Sequence, residues 1–563
     1  MKLLKKYKNV LIIGTIFSIL TILLTIYQYK NNNYIYYWDT EGYYDSTMKL
    51  IGALNESFIE TIKAILYTLM YSDYTYVPIV IPTLVMSVSG ISRLIYTISI
   101  TVFYTVPFIF IFIFLFIANS LLKDKKAKNL FIIISALACF PLLSYLSYMG
   151  YVDIGGLNII MIIFLLSQNK KEKITNNVII GLLIMLLFFY RRWYMYYAVA
   201  FLITSFLFDL YNFIKSNNKK ENLIKYTKKY LSIGIGIIVF IIVTVILNGI
   251  LFNIMQKKFI DEFYIFRVLR NYKDIYDGYN KPLLEDIISI GNKFGYIIIT
   301  LVITSIVIAI KNKKNIRQVL FLTFQMCICF IMFEFTQSHD THHFLLYIIN
   351  IMLLILYLFV NTNNKPINII AIAIIIINLI CYLPPINNLK CVLFFKKYGL
   401  VNNLEFTYNR NDIEEFENIN NYINELSEEG YSFYINSSSS ILNASMIVSY
   451  EIQKNLPPQS KYILEESNVD SRDGIPASLQ KADYVLVTSP DQLHLKEGAQ
   501  KIVTFINKVF LDENYKDILL PNYELANELE ISGVKVYFFH RIDEITDDEY
   551  GNFASKAEEF MKN

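Results

Sequence analysis

The sequence predicts a multi-span α-helical membrane protein, with about eleven transmembrane helices, that ends in a small extracytoplasmic α/β domain. Three observations predict it. Hydrophobic residues make up 55% of the 563 positions and charged residues only 18%, giving a mean hydropathy of +0.40. That is too apolar for a soluble globular chain of this length. The apolar residues also cluster into runs close to the ~20 residues that a helix needs to cross the hydrocarbon core. Near residue 386 the long runs stop, and short strand and helix patterns replace them.

The first apolar stretch, Val10–Tyr27, follows Lys2, Lys5, Lys6 and Lys8 and precedes no small-residue cleavage site. It reads as an uncleaved first span. On the same ruler, spans fall near 9–28, 93–122, 129–148, 153–168, 177–190, 195–213, 231–254, 294–310, 318–336, 344–361 and 367–384. The fourth and fifth are short enough to be tilted or partly re-entrant. Lysine clusters follow the second, fourth, sixth and eighth spans: Lys123, Lys125, Lys126 and Lys128; Lys170, Lys171 and Lys173; Lys215 to Lys229; and Lys311 to Arg317. All fall on the side of the amino terminus, which the positive-inside rule makes cytoplasmic. The expected organisation is thus a transmembrane domain over 1–385, with a long first outer loop at 29–92, and an extracytoplasmic domain over 386–563.

Within the first outer loop, "ESFIETIKAILYTLMYS" places Phe58, Ile62, Ile65, Leu66 and Leu69 at helical spacing. That pattern suits an amphipathic helix lying in the membrane interface. A second outer loop, 255–292, is rich in Tyr and mixed charge. In the C-terminal region "ADYVLVTSP" and "GVKVYFFHR" read as strands, and "NDIEEFENINNYINELSEEG" and "EGAQKIVTFINKVFL" as helices. A net charge of +3 is too slight to imply nucleic acid. The five cysteines, 139, 327, 329, 381 and 391, form no CxxC pair, so neither a disulfide framework nor a cysteine zinc site is expected.

Three polar groups converge on the outer face of this topology. Asp39 and Glu41 follow the first span in "YWDTEGYY", with Trp38, Tyr43 and Tyr44 around them. Arg191 and Arg192 sit in "YRRWYMYY" beside Trp193. "EFTQSHDTHHFLLY" holds His339, Asp340, His342 and His343, and three of the chain's five histidines fall in that one turn. Ionisable residues at membrane depth point to function. A carboxylate can act as general base on an acceptor hydroxyl. Arginines offer paired donors to a phosphate, and protonated histidines can add to that. The aromatic residues suit stacking on sugar rings or anchoring at the interface. His339 and His343, with Asp340, form a weak candidate site for a divalent metal ion, which leaves a metal cofactor open.

The order and position of "YWDTEGYY" and "ESFIETIKAILYTLMYS" resemble the first outer loop of the GT-C integral-membrane glycosyltransferases. These use polyprenyl-phosphate sugars and include protein O-mannosyltransferases and lipid A aminoarabinose transferases. "SDYTYVPIVIPTLVMSVSGISRLIY", "GYVDIGGLNIIMIIFLL", "FYRRWYMYYAVAF" and "VDSRDGIPASLQKADYVLVTSPDQLHL" resemble segments of that superfamily or of a bacterial branch of it. The resemblance implies a GT-C-like fold and puts the catalytic acid on Asp39, with Glu41 as the second carboxylate. The arginine and histidine groups are not general to the superfamily, so their roles rest on the chemistry above.

The function expected is therefore inverting transfer of a sugar from a polyprenyl-phosphate donor to an envelope glycan, lipid or protein at the cell membrane. Asp39 or Glu41 would be the base, or a ligand of an assisting cation. Arg191, Arg192, His339, His342 and His343 would hold the donor phosphate. A transporter or flippase of envelope precursors and a membrane acyltransferase are the alternatives. The first would favour inverted repeats, and no internal repeat is visible. The second leaves the acidic first loop without a role.

Overall fold

The computed structural model describes residues 2–72, 74–118, 127–168, 173–252, 276–362, 364–453, 461–464 and 467–562. Lys123, Lys125, Lys126, Lys170 and Lys171 lie outside them, as do residues 255–275 of the second outer loop. The chain divides into two compact units. One comprises Met1–Asn32, Tyr43–Arg270 and Pro282–Thr407; the other comprises Asn33–Gly42, Asn271–Lys281 and Tyr408–Asn563.

The first unit is helical. Five of its described helices are long and apolar enough to cross a membrane: Arg93–Ile113, Tyr194–Lys215, Lys219–Ile250, Ile316–Glu334 and Thr341–Asn361. Two bent pairs raise the number to seven if each is one span: Leu130–Leu137 with Phe140–Met149, bent by 51°, and Leu283–Phe294 with Tyr296–Asn312, bent by 98°. This is fewer than the eleven spans expected. The stretches 153–168, 177–190 and 367–384 do form helices, Val152–Ser167, Ile174–Tyr190 and Lys365–Ile380. At 1.5 Å per residue, however, even 17 residues reach only about 25 Å, short of the ~30 Å hydrocarbon core. The expected first span lies within the helix Lys2–Lys30.

Both bends have local causes. Pro141 opens the helix Phe140–Met149, where its missing N–H is harmless but would have broken a continuous helix. Gly295, at φ +86°, turns the chain between the two arms of the sharper bend. A Cβ there would also meet Asn378 Oδ1 at 2.8 Å. Elsewhere small residues let helices touch: a Cβ on Gly181 would lie 2.1 Å from the Ile233 carbonyl, and one on Gly236 would lie 2.1 Å from that of Val178. Such close backbone approach drives helix association where lipid offers no hydrophobic gain. The span Thr341–Asn361 is 94% buried over its most apolar window, so it packs within the helices and not at their edge. The expected amphipathic helix is present at Phe58–Tyr71, capped by Ser57, whose hydroxyl accepts from the Glu60 N–H.

The second unit carries a four-stranded sheet of order β1-β2-β4-β3. Its strands are β1 (Phe433–Ile435), β2 (Tyr484–Ser489), β3 (Tyr523–Ile531) and β4 (Val534–Arg541). β1 runs parallel to β2, β2 is antiparallel to β4, and β3 and β4 form a hairpin. The two hairpin residues Ser532 and Gly533 both have positive φ, +51° and +77°, as a type I′ turn requires. Alternation along β2 feeds two cores. Val485 and Val487 face the helix Lys501–Leu511 through Ile502, Phe505 and Ile506. Tyr484 and Leu486 face the helix Ile413–Glu428 through Phe416, Ile419 and Ile423. Ile35, 1% exposed, belongs to that second core.

Candidate active site

Asp39, which belongs to the second unit, opens the helix Asp39–Glu56. The preceding Trp38 holds φ +48°, a left-handed backbone that a bulky residue rarely adopts. Its N–H donates to Ser445 Oγ at 3.0 Å, and its carbonyl accepts from Gly42 N at 2.7 Å. The indole remains 39% exposed while lying 4.3 Å from the His494 ring and 4.8 Å from that of Tyr37. His494 Nδ1 lies 2.9 Å from the Ser438 carbonyl, an acceptor only, so Nδ1 carries the proton and donates. Burial, assisted by nearby Arg472, pushes this imidazole's pKa down, so it is held neutral.

Tyr279 joins the same group. Its hydroxyl accepts from Arg472 Nη1 at 2.9 Å, and its ring lies 6.2 Å from His494. Burial raises the phenol's pKa, opposed by Arg472, and Asp39 is near enough to raise it further. Arg472 is also held by Asp473 through two contacts, 2.6 and 2.9 Å. Asp470, in the same "VDSRDGIP" stretch, accepts from the N–H groups of Lys501 and Ile502, both at 2.9 Å, and so caps that helix. Asp39 is half-buried and Glu41 only 4% exposed. A carboxylate, a neutral imidazole and a partly exposed indole thus gather from separate parts of the chain. Such a group can bind a sugar by stacking and take a proton from its hydroxyl.

The arginines and the histidine turn belong to the first unit. Arg191 follows the helix Ile174–Tyr190 and pairs through Nε with Asp153 Oδ1 at 2.6 Å, with side chains 6% and 0% exposed. Its guanidinium lies 4.9 Å from the Tyr43 ring centre and 4.8 Å from that of Tyr74. Gly155 and Gly156 make room for this arrangement. A Cβ on either would collide with Tyr190 or Tyr194, which donate to the carbonyls of Val152 and Asp153. Arg192 is half-buried, 5.6 Å from the Tyr74 ring. Tyr44 packs on Arg93 at 4.9 Å. Trp193 is buried, 5.4 Å from His343.

In the histidine turn, Asp340 caps the helical turn Thr341–Phe344 reciprocally with His343, whose Nδ1 accepts from Asp340 N at 2.9 Å. His342 Nδ1 stands 3.4 Å from Asp340 Oδ2, and its ring stacks on Tyr151. The expected metal set of His339, Asp340 and His343 is therefore not what converges. Among the described residues, the group with metal-ligand proximity is Asp286, Glu334 and His339. Sequence reading missed Asp286, Asp153, Tyr279 and His494. Asp153 had one usable signal, a single carboxylate amid an apolar stretch; Asp286, beside Glu285 in a charged loop, had none of its own. Comparison with protein-family models, curated proteins and solved structures finds no match for the chain.

Proposed function

We propose that the chain is an inverting membrane glycosyltransferase that moves a sugar from a polyprenyl-phosphate donor to an outer-face glycan, lipid or protein of the cell envelope. The setting of Asp39 carries this reading: a half-buried carboxylate follows an exposed indole that leans on a neutral His494. The acceptor oxygen forms its bond to the anomeric carbon as Asp39 takes the hydroxyl proton. The bond from that carbon to the phosphate oxygen breaks, and the lipid phosphate leaves with the electron pair. Glu41, two residues on, is the alternative base. Arg192 supplies donors to the phosphate, while Arg191, already neutralised by Asp153, fixes the turn that presents it. The resemblance of the first-loop motif to GT-C enzymes supports the same reaction. The lysine clusters support a cytoplasmic amino terminus and an outer C-terminal domain.

A second reading, a carrier of lipid-linked envelope precursors, is favoured by the helix pair broken at 98°. One assay separates them: radiolabelled polyprenyl-phosphate sugar is supplied to membranes containing the chain, and product is measured. Transfer that disappears in the well-expressed Asp39→Asn and Glu41→Gln double variant supports the transferase. Unchanged transfer in that variant sinks the mechanism, and lipid translocation without glycosylated product establishes the carrier.

A further inference from the structure

We propose that Asp286, Glu334 and His339 form a binding site for a divalent transition-metal ion of the Zn²⁺ class. Asp286 stands on the short arm Leu283–Phe294 before the sharp bend, Glu334 ends the helix Ile316–Glu334, and His339 lies in the turn that follows. One ligand atom from each lies within 4.8 Å of the others. His339 Nδ1 is 2.9 Å from Glu334 Oε1 and 3.8 Å from Asp286 Oδ1. Donor atoms around a tetrahedral ion with bonds of about 2.1 Å lie about 3.4 Å apart, between those two spacings.

Two further observations point to a cation. The Asp286 side chain is 2% exposed; its Oδ1 accepts the His339 N–H at 2.9 Å, Ser338 hydrogen-bonds the carboxyl, and the Glu334 carboxyl lies within hydrogen-bonding reach of it. Two carboxylates brought together at that depth repel unless a proton or a cation lies between them. A bound cation relieves that repulsion. The imidazole is also set in place from behind, with Nε2 2.5 Å from Tyr347 Oη, as the outer partner of a metal-bound histidine would be. Phe330, Phe333 and Phe344 stack against the ring at 5.2, 4.2 and 5.3 Å. One imidazole with two carboxylates suits Zn²⁺, Co²⁺ or Mn²⁺ better than Ca²⁺, which prefers oxygen alone. Glu334 is 15% exposed, leaving the ion a side open to water or an anion.

This site does not rest on the transferase reading, because its test measures metal and not product. The full chain is purified in detergent from Zn²⁺-supplemented cells, passed through metal-free buffer and analysed for metal by mass spectrometry. Wild type should retain about one Zn²⁺ per chain. Asp286→Asn and Glu334→Gln should lose most of it, and Asp340→Asn should keep it. Co²⁺ added to metal-free wild type should produce visible absorption that saturates at one equivalent. Should Asp286→Asn fail to fold, the partly exposed Glu334→Gln reports in its place. Monodisperse wild type with neither Zn²⁺ nor a Co²⁺ spectrum would overturn the proposal. So would metal lost in Asp340→Asn but retained in Glu334→Gln, which would move the site to the histidine turn.

Discussion

At the residue scale, the proposed base makes the sharpest prediction. Asp39→Asn keeps size and shape but cannot take the acceptor proton, so turnover should fall about 10²–10⁴-fold with donor binding little changed. A larger loss in Glu41→Gln would move the base two residues along. The two arginines should behave differently in spite of their adjacency. Arg191→Ala strands the fully buried Asp153 carboxylate and should cost about 3–5 kcal/mol, read by thermal unfolding in detergent, with Asp153→Asn restoring part of it. Arg192→Ala should weaken donor binding. His494 provides a pH test. Its folded pKa lies below the ordinary 6.5, so the unfolded chain binds the extra proton first. Its contribution to stability is therefore whole above about pH 6.5 and declines as pH falls below that. His494→Gln should flatten the acid side of the unfolding profile, and an unaltered profile would refute the assignment. Asp39, the arginines and the histidine turn were legible because charge crowds there against an apolar background. Asp153, Asp286, Tyr279 and His494 were not. Each takes its partners from far along the chain, and no local pattern marks that pairing.

Helices and strands were legible to the extent that their signal is local. Apolar run length identified the helices, but run length overcounts spans, since the helix 174–190 is apolar without being long enough to cross alone. β2 and β4 are apolar and β-branched and were readable. β1 has only three residues, and β3, "YELANELEI", is polar and largely exposed at the sheet edge, as edge strands often are. The contact at Gly181 and Gly236 gives the test at this scale. Gly181→Ala would place a methyl 2.1 Å from the Ile233 carbonyl, so the two helices must part. The cost should be about 1–3 kcal/mol, read as earlier thermal unfolding. Gly234→Ala, on the same partner helix with open space around it, should be neutral or slightly stabilising. Equal effects of the two variants would show that the close approach contributes nothing.

For the whole molecule, the informative fact is which segments share a core. Composition marks where the long apolar runs end but holds no sign that residues 33–42 pack with 408–563. Contacts made across such distance leave no periodicity. Asn33 exchanges hydrogen bonds with Arg410, Tyr34 packs on Tyr408 at 5.0 Å, and Ile35 enters the core beneath β1. A fragment 408–563 expressed alone should therefore be less stable than the same fragment with residues 33–42 joined through a flexible linker. Filling the space of one buried isoleucine alone is worth about 2–5 kcal/mol; indistinguishable melting curves would show that the segment is dispensable. The same feature governs how the chain is made. Ile35 leaves the ribosome about 400 residues before its β1 partners, which at roughly 5–20 residues per second is a delay of about 20–80 s. Throughout that interval the segment has no core to enter, so nascent chains must be guarded by a chaperone or by the membrane surface. Slowing translation between the two should lower the yield of folded protein.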